Sequence, residues 1–141
     1  MQQIITLTTD FGLGSTYVAQ MKGVALAINP ELRLVDLTHG IPPQNVAVAA
    51  WRLRDVVDCF PRNTIHVVVV DPGVGSDRRM LYVRMRQQRF IAPDNGVLSL
   101  LAAETPPDRI IAIENERFWS DDVTPTFHGR DVMVPVAAHL S

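Results

Sequence analysis

The strongest constraint on the fold of this sequence is a repeated alternation of short, β-branched apolar runs with longer segments of helical periodicity. The runs predicted as strands are "IITLTTD" (4–10), "LRLVDLTH" (32–39) and "TIHVVVVD" (64–71). Between them, "STYVAQMKGVALAINP" (15–30) and "NVAVAAWRLRDVVDCF" (45–60) have the apolar spacing of helices. Because strand–helix–strand connections place strands parallel with helices on both faces, the sequence predicts a doubly wound, mostly parallel α/β sheet.

The second half of the chain continues the pattern with shorter elements. "MLYVRMR" (80–86) and "RFIAPD" (89–94) predict a hairpin or neighbouring strands, and "NGVLSLLAAE" (95–104) predicts a short helix. "RIIAIEN" (109–115) predicts another strand, and "VPVAAHL" (134–140) predicts a closing helix. A length of 141 residues suits one domain, so residues 1–141 are expected to form a single α/β unit.

Charge and cysteine content narrow the function classes. With 20% charged residues and a formal net charge of -2, the chain has no basic footprint for nucleic acid. The chain has no apolar run long enough for a membrane helix, and its start does not resemble an export signal. The single cysteine, Cys59, is predicted to be a small buried hydrophobe within a helix. We therefore expect a cytoplasmic protein with no membrane or nucleic-acid partner.

Polar side chains follow several of the predicted strands. In doubly wound sheets, ligands bind beyond the carboxyl ends of the strands. Asp10, His39, Asp71 and Asp94 stand at such ends and are expected to converge. For His39, a hydrogen-bonding role within its loop is favoured over ligand binding.

Asp10, Arg78 and His128 each suggest a particular chemical role. The Asp10 carboxylate could accept hydrogen bonds from a sugar diol, or it could cap the loop that follows. Arg78, seven residues after Asp71, could pair with that carboxylate across the "DPGVGSDRR" turn, which is either an anion-binding nest or a plain turn. His128 precedes Gly129, so its backbone could approach a ligand closely.

Four segments taken together identify a family. "TLTTDFG" (6–12), "VDPGVGSDRR" (70–79), "APDNG" (92–96) and "TFHGRDVMVPVAAHL" (126–140), in this order and spacing, closely resemble the S-adenosylmethionine (SAM) hydroxide adenosyltransferases. These enzymes are relatives of the bacterial fluorinase and chlorinase. The resemblance implies hydrolysis of SAM to adenosine and methionine, by attack of water-derived hydroxide on the 5′ carbon, without a metal or redox cofactor.

The resemblance also implies roles for individual residues. Asp10 matches the carboxylate that holds the ribose hydroxyls, and Thr126 and Phe127 fall where the family lines the pocket around the reacting carbon. Asp71, Arg78 and His128 match the family's catalytic set. On this basis His128 accepts or orients the proton of the water while Asp71 and Arg78 fix the water, and which of them takes the proton stays open.

Two features depart from the family pattern or qualify it. Many relatives have an acidic residue near Ser15 or Thr16, which leaves part of the substrate contact undefined. Family members continue into a β-rich second domain, which is absent from this chain, and their pocket lies between subunits of a homotrimer.

The halide-using relatives lack the Asp-Arg-His set and have a different loop at Asp71–Gly73, so water is the expected nucleophile.

Two other functions stay open at this point. Without the second domain, the chain could be a fragment, or a module that binds adenosine without catalysis. Alternatively, Asp10, Asp71, Asp94 and His128 could serve a metal-dependent hydrolase, although the usual metal-binding spacings are missing.

Overall fold

The computed structural model describes residues 2–141, and its centre is one six-stranded sheet. The strands are β1 (Ile4–Thr9), β2 (Arg33–Thr38), β3 (Ile65–Val69), β4 (Met80–Met85), β5 (Gln88–Pro93) and β6 (Arg109–Ala112). Their spatial order is β2-β1-β3-β5-β4-β6. The pairs β1–β2, β1–β3 and β3–β5 are parallel, whereas β4 runs antiparallel to both β5 and β6. The predicted mostly parallel sheet and the predicted hairpin are therefore confirmed.

Helices cover both faces of this sheet. They are α1 (Tyr17–Ile28), α2 (Val46–Val56), α3 (Ser99–Glu104) and α4 (Val134–Leu140), with a π-helical turn (Gly129–Met133) leading into α4. Helices α1 and α4 pack on one face and helices α2 and α3 on the other. Alternation of side chains along β3 explains why this segment is apolar apart from His66. Val67 and Val69 face the first pair of helices, while Val68 and Val70 face the second.

The starts of the first two helices use different hydrogen bonds. Asn45 caps α2, because its side chain accepts a hydrogen bond from the Val48 amide at 3.0 Å. At α1, Ser15 Oγ instead accepts from the Tyr17 amide at 3.0 Å, and the Thr16 side chain makes no cap. Both starts agree with the predicted positions.

The prediction for Cys59 is wrong, because its side chain is exposed. Helix α2 ends at Val56, and the chain tightens into a 3-10 turn over Val57–Cys59. A residue two positions along a helical turn lies on nearly the opposite side, so the turn that buries Val57 points Cys59 outward. Within residues 2–141, no helix is both long and apolar enough to cross a membrane.

One histidine is buried at the centre of the sheet. His66 on β3 is fully buried, its Nδ1 lies 2.6 Å from Thr6 Oγ, and its ring stacks on Phe90 with centroids 4.9 Å apart. Burial disfavours the charged imidazolium and lowers the pKa of His66 to about 4. The ring is therefore neutral in the folded protein at pH 7.

This burial predicts an acid-sensitive fold. The folded-state pKa lies below the unfolded value. The stability that the neutral ring contributes is therefore fully present above pH 6.5 and is lost as the pH falls toward 4. Between pH 7 and pH 5 this histidine should reduce the free energy of unfolding by about 2 kcal/mol. Urea titrations across this range should show a shallower pH dependence in His66→Asn than in the wild type. The control is His139→Gln, which removes an exposed histidine. Its free energy of unfolding should depend on pH as steeply as that of the wild type. An NMR titration of His66 near pH 6.5 would contradict the prediction.

Candidate active site

Three loops meet at one cavity beyond the carboxyl ends of β1 and β3. The first carries Asp10 directly after β1, the second begins near Asp71 after β3, and the third, residues 126–128, precedes the π-helical turn. All three line a cavity of about 170 Å³. A larger, mainly apolar cavity of about 310 Å³ lies beside β6 and α4. We place the candidate active site at the smaller cavity, because Asp71, Arg78 and His128 form a hydrogen-bonded network there.

Asp71, Arg78 and His128 form a continuous hydrogen-bonded network at this cavity. Arg78 Nε donates to both carboxylate oxygens of Asp71 at 3.0 Å, and Arg78 Nη2 also donates to Asp71 Oδ2. The same Nη2 lies 2.8 Å from His128 Nδ1. The side chains of Asp71 and Arg78 are 5% and 11% exposed, so the pair is shielded from water. The predicted pairing of Arg78 with Asp71 is confirmed.

The contact with Arg78 defines where His128 carries its proton. Arginine can only donate hydrogen bonds, so His128 Nδ1 must accept with its lone pair, and the neutral ring then carries its proton on Nε2. Burial, followed by the charge of Arg78, lowers the pKa of His128 below its ordinary value. Both effects keep the ring neutral near pH 7.

Asp10 has one carboxylate oxygen engaged and one open. Its Oδ2 accepts a hydrogen bond from the Gln44 amide at 2.7 Å. Among the described residues, none donates a hydrogen bond to Oδ1, and Asp10 lines the cavity. The interpretation that Asp10 caps the loop following it is therefore wrong, because Oδ2 instead holds the Gln44 loop before α2. The other oxygen, Oδ1, is available to a hydroxyl group.

An aromatic cluster forms one side of the site. The rings of Phe11, Tyr17 and Phe127 contact one another with centroids 4.8 to 5.5 Å apart. The Arg130 guanidinium lies over Phe127 at 4.7 Å, and Arg130 Nε also donates to Asp131 at 2.7 Å. These contacts hold Phe127 in place at the cavity.

Asp131 fixes the loop that leads to His128. Its Oδ2 accepts from the backbone amide and the hydroxyl of Thr124, at 2.8 and 2.7 Å, while its carbonyl accepts from the Ser120 amide. Burial alone would raise the pKa of Asp131, but the hydrogen bonds from Arg130 and Thr124 lower it overall. Asp131, held in turn by Arg130, thus fixes the loop that leads to His128.

The match to a protein family covers almost the whole chain. The family described as SAM hydroxide adenosyltransferase N-terminal domain matches residues 5–141. This chain belongs to that family.

Individual relatives of this SAM hydroxide adenosyltransferase domain agree with the assignment. The chain is 40% identical to the (R)-S-adenosyl-L-methionine hydrolase of Salinispora tropica over 97% of its own length and 52% of the relative's. It is 26% identical to a fluorinase of an Actinoplanes species, over 98% of this chain and 54% of that protein. A crystal structure of an uncharacterized conserved protein from Thermotoga maritima superposes with a TM-score of 0.94 at 43% identity, covering 96% of this chain and 54% of that one. The chain thus spans about half the length of the curated relatives it matches.

Not every predicted residue of this SAM hydroxide adenosyltransferase domain reaches the cavity. Asp10, Asp71, Thr126, Phe127 and His128 line it, and Arg78 lies directly behind Asp71 and His128. The expected convergence is wrong for the other two strand-end residues, but the hydrogen-bonding role favoured for His39 is confirmed. Asp94 turns toward Arg79, whose Nη2 lies 2.8 Å from Asp94 Oδ2, and His39 turns beneath the Asp10 loop to contact Thr9.

The pairing of neighbouring strands explains the position of Asp94. The Asp94 amide donates to the Arg79 carbonyl at 2.8 Å, so the β4–β5 pairing holds Asp94 next to Arg79. This separation also removes Asp94 from the ligand set of the metal-dependent alternative. Among residues 2–141, no three His, Cys, Asp or Glu side chains are grouped so as to hold a metal ion.

Sequence reasoning missed Gln44, which lines the cavity and holds Asp10 through its amide. Gln44 has a φ of 62°, a left-handed conformation that residues other than glycine seldom adopt. The two prolines before it mark a break in the chain, but they do not indicate that the amide points back toward β1. This contact depends on how the loop folds over the sheet.

Gly75 controls how the second and third loops fit together. Its φ is +80°, and a Cβ built there would lie 2.5 Å from the Pro125 carbonyl oxygen. Gly75→Ala should therefore push the Asp71–Arg78 loop away from the His128 loop and lower the free energy of unfolding by roughly 2 kcal/mol. Urea denaturation gives the stability, and the His128 ring NMR signals report the altered contact with Arg78. Gly14→Ala is the control, because a Cβ at Gly14 meets nothing within 4 Å. Equal effects of the two substitutions would contradict this role for Gly75.

Proposed function

We propose that this chain contributes the reaction centre for hydrolysis of SAM to adenosine and methionine. The observation that carries the proposal is the bonded Asp71–Arg78–His128 network at the same cavity as the open oxygen of Asp10. The 40% identity to a protein named as an (R)-S-adenosyl-L-methionine hydrolase supports this substrate. Water is the nucleophile, and the reaction needs no metal or redox cofactor.

Asp10 holds the substrate in this proposal. Its Oδ1 accepts a hydrogen bond from a ribose hydroxyl, while the Gln44 amide keeps the carboxylate oriented through Oδ2. Thr126 and Phe127 contact the region around the 5′ carbon. In-line attack requires the water oxygen about 3–3.5 Å from that carbon, on the side opposite the sulfonium, so a fixed ribose supplies much of the rate.

The network activates the water. The new carbon–oxygen bond forms as the carbon–sulfur bond breaks, and methionine leaves as a neutral thioether with the bonding electron pair. Arg78 has no acceptor, and His128 Nδ1 already accepts from Arg78. Asp71 is therefore the member of the set that takes the water's proton, while His128 orients Arg78. The Arg78 charge stabilises the developing hydroxide.

We also propose an oligomeric state and a cellular location for this protein. The working form is a homotrimer, in which a β-rich domain completes the pocket that the cavity begins. We also propose a cytoplasmic location, which suits a chain with a single cysteine and a substrate found within cells.

Isotope labelling tests the reaction. Incubation with SAM in H₂¹⁸O should give adenosine labelled at the 5′-hydroxyl together with unlabelled methionine, detected by mass spectrometry.

Asp10→Asn should lower kcat/KM by about 100-fold, because a charged hydrogen bond to the ribose is weakened. Asp77→Asn removes an exposed carboxylate near the site and should leave the rate unchanged. Binding of adenosine without turnover would instead favour the non-catalytic module, and activity that a chelator abolishes and a divalent ion restores would overturn the metal-free mechanism.

Two substitutions at His128 separate an orienting role from a proton-accepting one. His128→Asn keeps a carbonyl near the position of Nδ1 that can accept from Arg78, whereas His128→Ala removes the acceptor. We expect kcat to fall by about tenfold or less in the Asn variant and by roughly 100-fold or more in the Ala variant. Steady-state rates and their pH profiles provide the measurement. If both variants lose activity equally, His128 itself takes the proton.

A further inference from the structure

A second hydrogen-bonded network lies beneath the Asp10 loop and outside the cavity. Thr9 Oγ lies 2.7 Å from His39 Nδ1, and His39 Nε2 lies 2.8 Å from Asp36 Oδ1. Lys22 Nζ donates to the other Asp36 oxygen at 2.7 Å. Thr9 is fully buried and His39 is 7% exposed, so the inner part of the network is shielded from water.

The direction of each hydrogen bond follows from the donors and acceptors. Burial alone would raise the pKa of Asp36, but hydrogen bonds from Lys22 and His39 lower it overall, so Asp36 is an ionised acceptor. His39 Nε2 therefore donates to Asp36. When the ring carries this single proton, Nδ1 accepts from the Thr9 hydroxyl. This leaves a lone pair on Thr9 Oγ, which accepts from the Phe11 amide at 3.2 Å. Every polar atom of the inner network has a partner.

The network ends on the two backbone amides that follow Asp10. Thr9 Oγ accepts from the Phe11 amide, and the His39 carbonyl accepts from the Gly12 amide at 2.9 Å. Gly12 has a φ of +78°, a left-handed backbone conformation that favours glycine. The backbone on the carboxyl side of Asp10 is thus held by two residues that do not line the cavity.

We propose that Thr9 and His39 are positioning residues, which fix the Asp10 turn so that its open carboxylate oxygen faces the ribose of the bound ligand. This inference rests on the proposed function of Asp10. Asp36 and Lys22 hold the His39 ring in the orientation that receives the Thr9 hydroxyl. The residues themselves touch no ligand and act through Asp10.

The same strand supplies a matched comparison. Thr6 and His66 form a second buried Thr–His pair at 2.6 Å, at the centre of the sheet and three residues before Thr9. Each pair loses one hydroxyl in a threonine-to-valine substitution of nearly equal volume. A general effect of disrupting such a pair would appear in both variants, whereas a positioning effect would appear in Thr9→Val alone.

Backbone amide hydrogen exchange, followed by NMR on the unliganded chain, tests the positioning itself. We expect exchange of the Phe11 and Gly12 amides to accelerate at least tenfold in Thr9→Val, and to change in Thr6→Val only as much as global stability does. Thr9→Ser, which keeps the hydroxyl, should restore protection. If Thr9→Val leaves both amides protected, or Thr6→Val exposes them equally, the proposal is overturned.

Calorimetry with adenosine tests the consequence for binding. Thr9→Val should weaken adenosine binding by about tenfold, Thr6→Val should not, and Thr9→Ser should recover the wild-type affinity.

Asp36→Ala, at a partly exposed position, is a second variant that releases His39 if Thr9→Val does not fold, and it should have the same effects. Because the proposed pocket is completed by a β-rich domain, calorimetry uses the protein together with that domain. Wild-type protein that then binds no adenosine would count against the proposed function of Asp10, while the exchange data would still decide whether Thr9 and His39 hold the turn. Binding that Thr9→Val and Asp36→Ala leave unchanged would overturn the positioning role.

Discussion

The parallel pairing of β1 with β3 is the constraint on which the rest of the structure depends. Its register places Thr9 opposite Val69, so the two strands end side by side at the same edge of the sheet. Asp10 and Asp71 leave the sheet there, next to each other. Because β3 is buried on both faces, this register cannot slip without moving its valines out of their packing positions. A hydrophobic requirement thus fixes which strand ends carry the two carboxylates that line the cavity.

Charge is arranged differently around those two carboxylates. Asp71 is matched by a buried arginine, which also donates to His128, so the pair is compensated in a site with little water. Asp10 has no arginine partner among the described residues and keeps one oxygen open. One carboxylate is therefore suited to work within a charged network, and the other to receive a neutral hydroxyl group. This division follows from loop contacts rather than from the residue types.

Close packing of the third loop joins the two strand ends to His128. Gly129 approaches β3 so closely that a Cβ there would lie 2.7 Å from Val69 Cγ1. The π-helical turn that begins at this glycine adds backbone just before α4, and π-helical turns often occur at functional sites. His128 is consequently held beside Arg78 by the packing of the helix that follows it.

Periodicity and residue order predicted much of this protein. The alternation of β-branched runs with helical segments predicted the sheet and both helical layers, because burial on two faces requires continuous apolar strands. The four family segments predicted the set Asp71, Arg78 and His128, and the spacing of Asp71 and Arg78 predicted their pairing. The prediction for Cys59 overlooked that this residue lies opposite the buried Val57 on its helical turn. The sequence did not indicate that Asp94 would be held by Arg79.

The sequence by itself determined the fold class, the family and the residue types available for chemistry, since these depend on local periodicity and on motifs read along the chain. Only the tertiary structure decided which of those residues meet. The amide of Gln44 reaches Asp10, Arg78 reaches His128 across 50 residues, and His39 turns away from the cavity toward Thr9. Such contacts depend on the register of β1 against its neighbours and on the path of loops that carry no periodic signal. Three-dimensional packing is therefore what turns a set of suitable residues into a site.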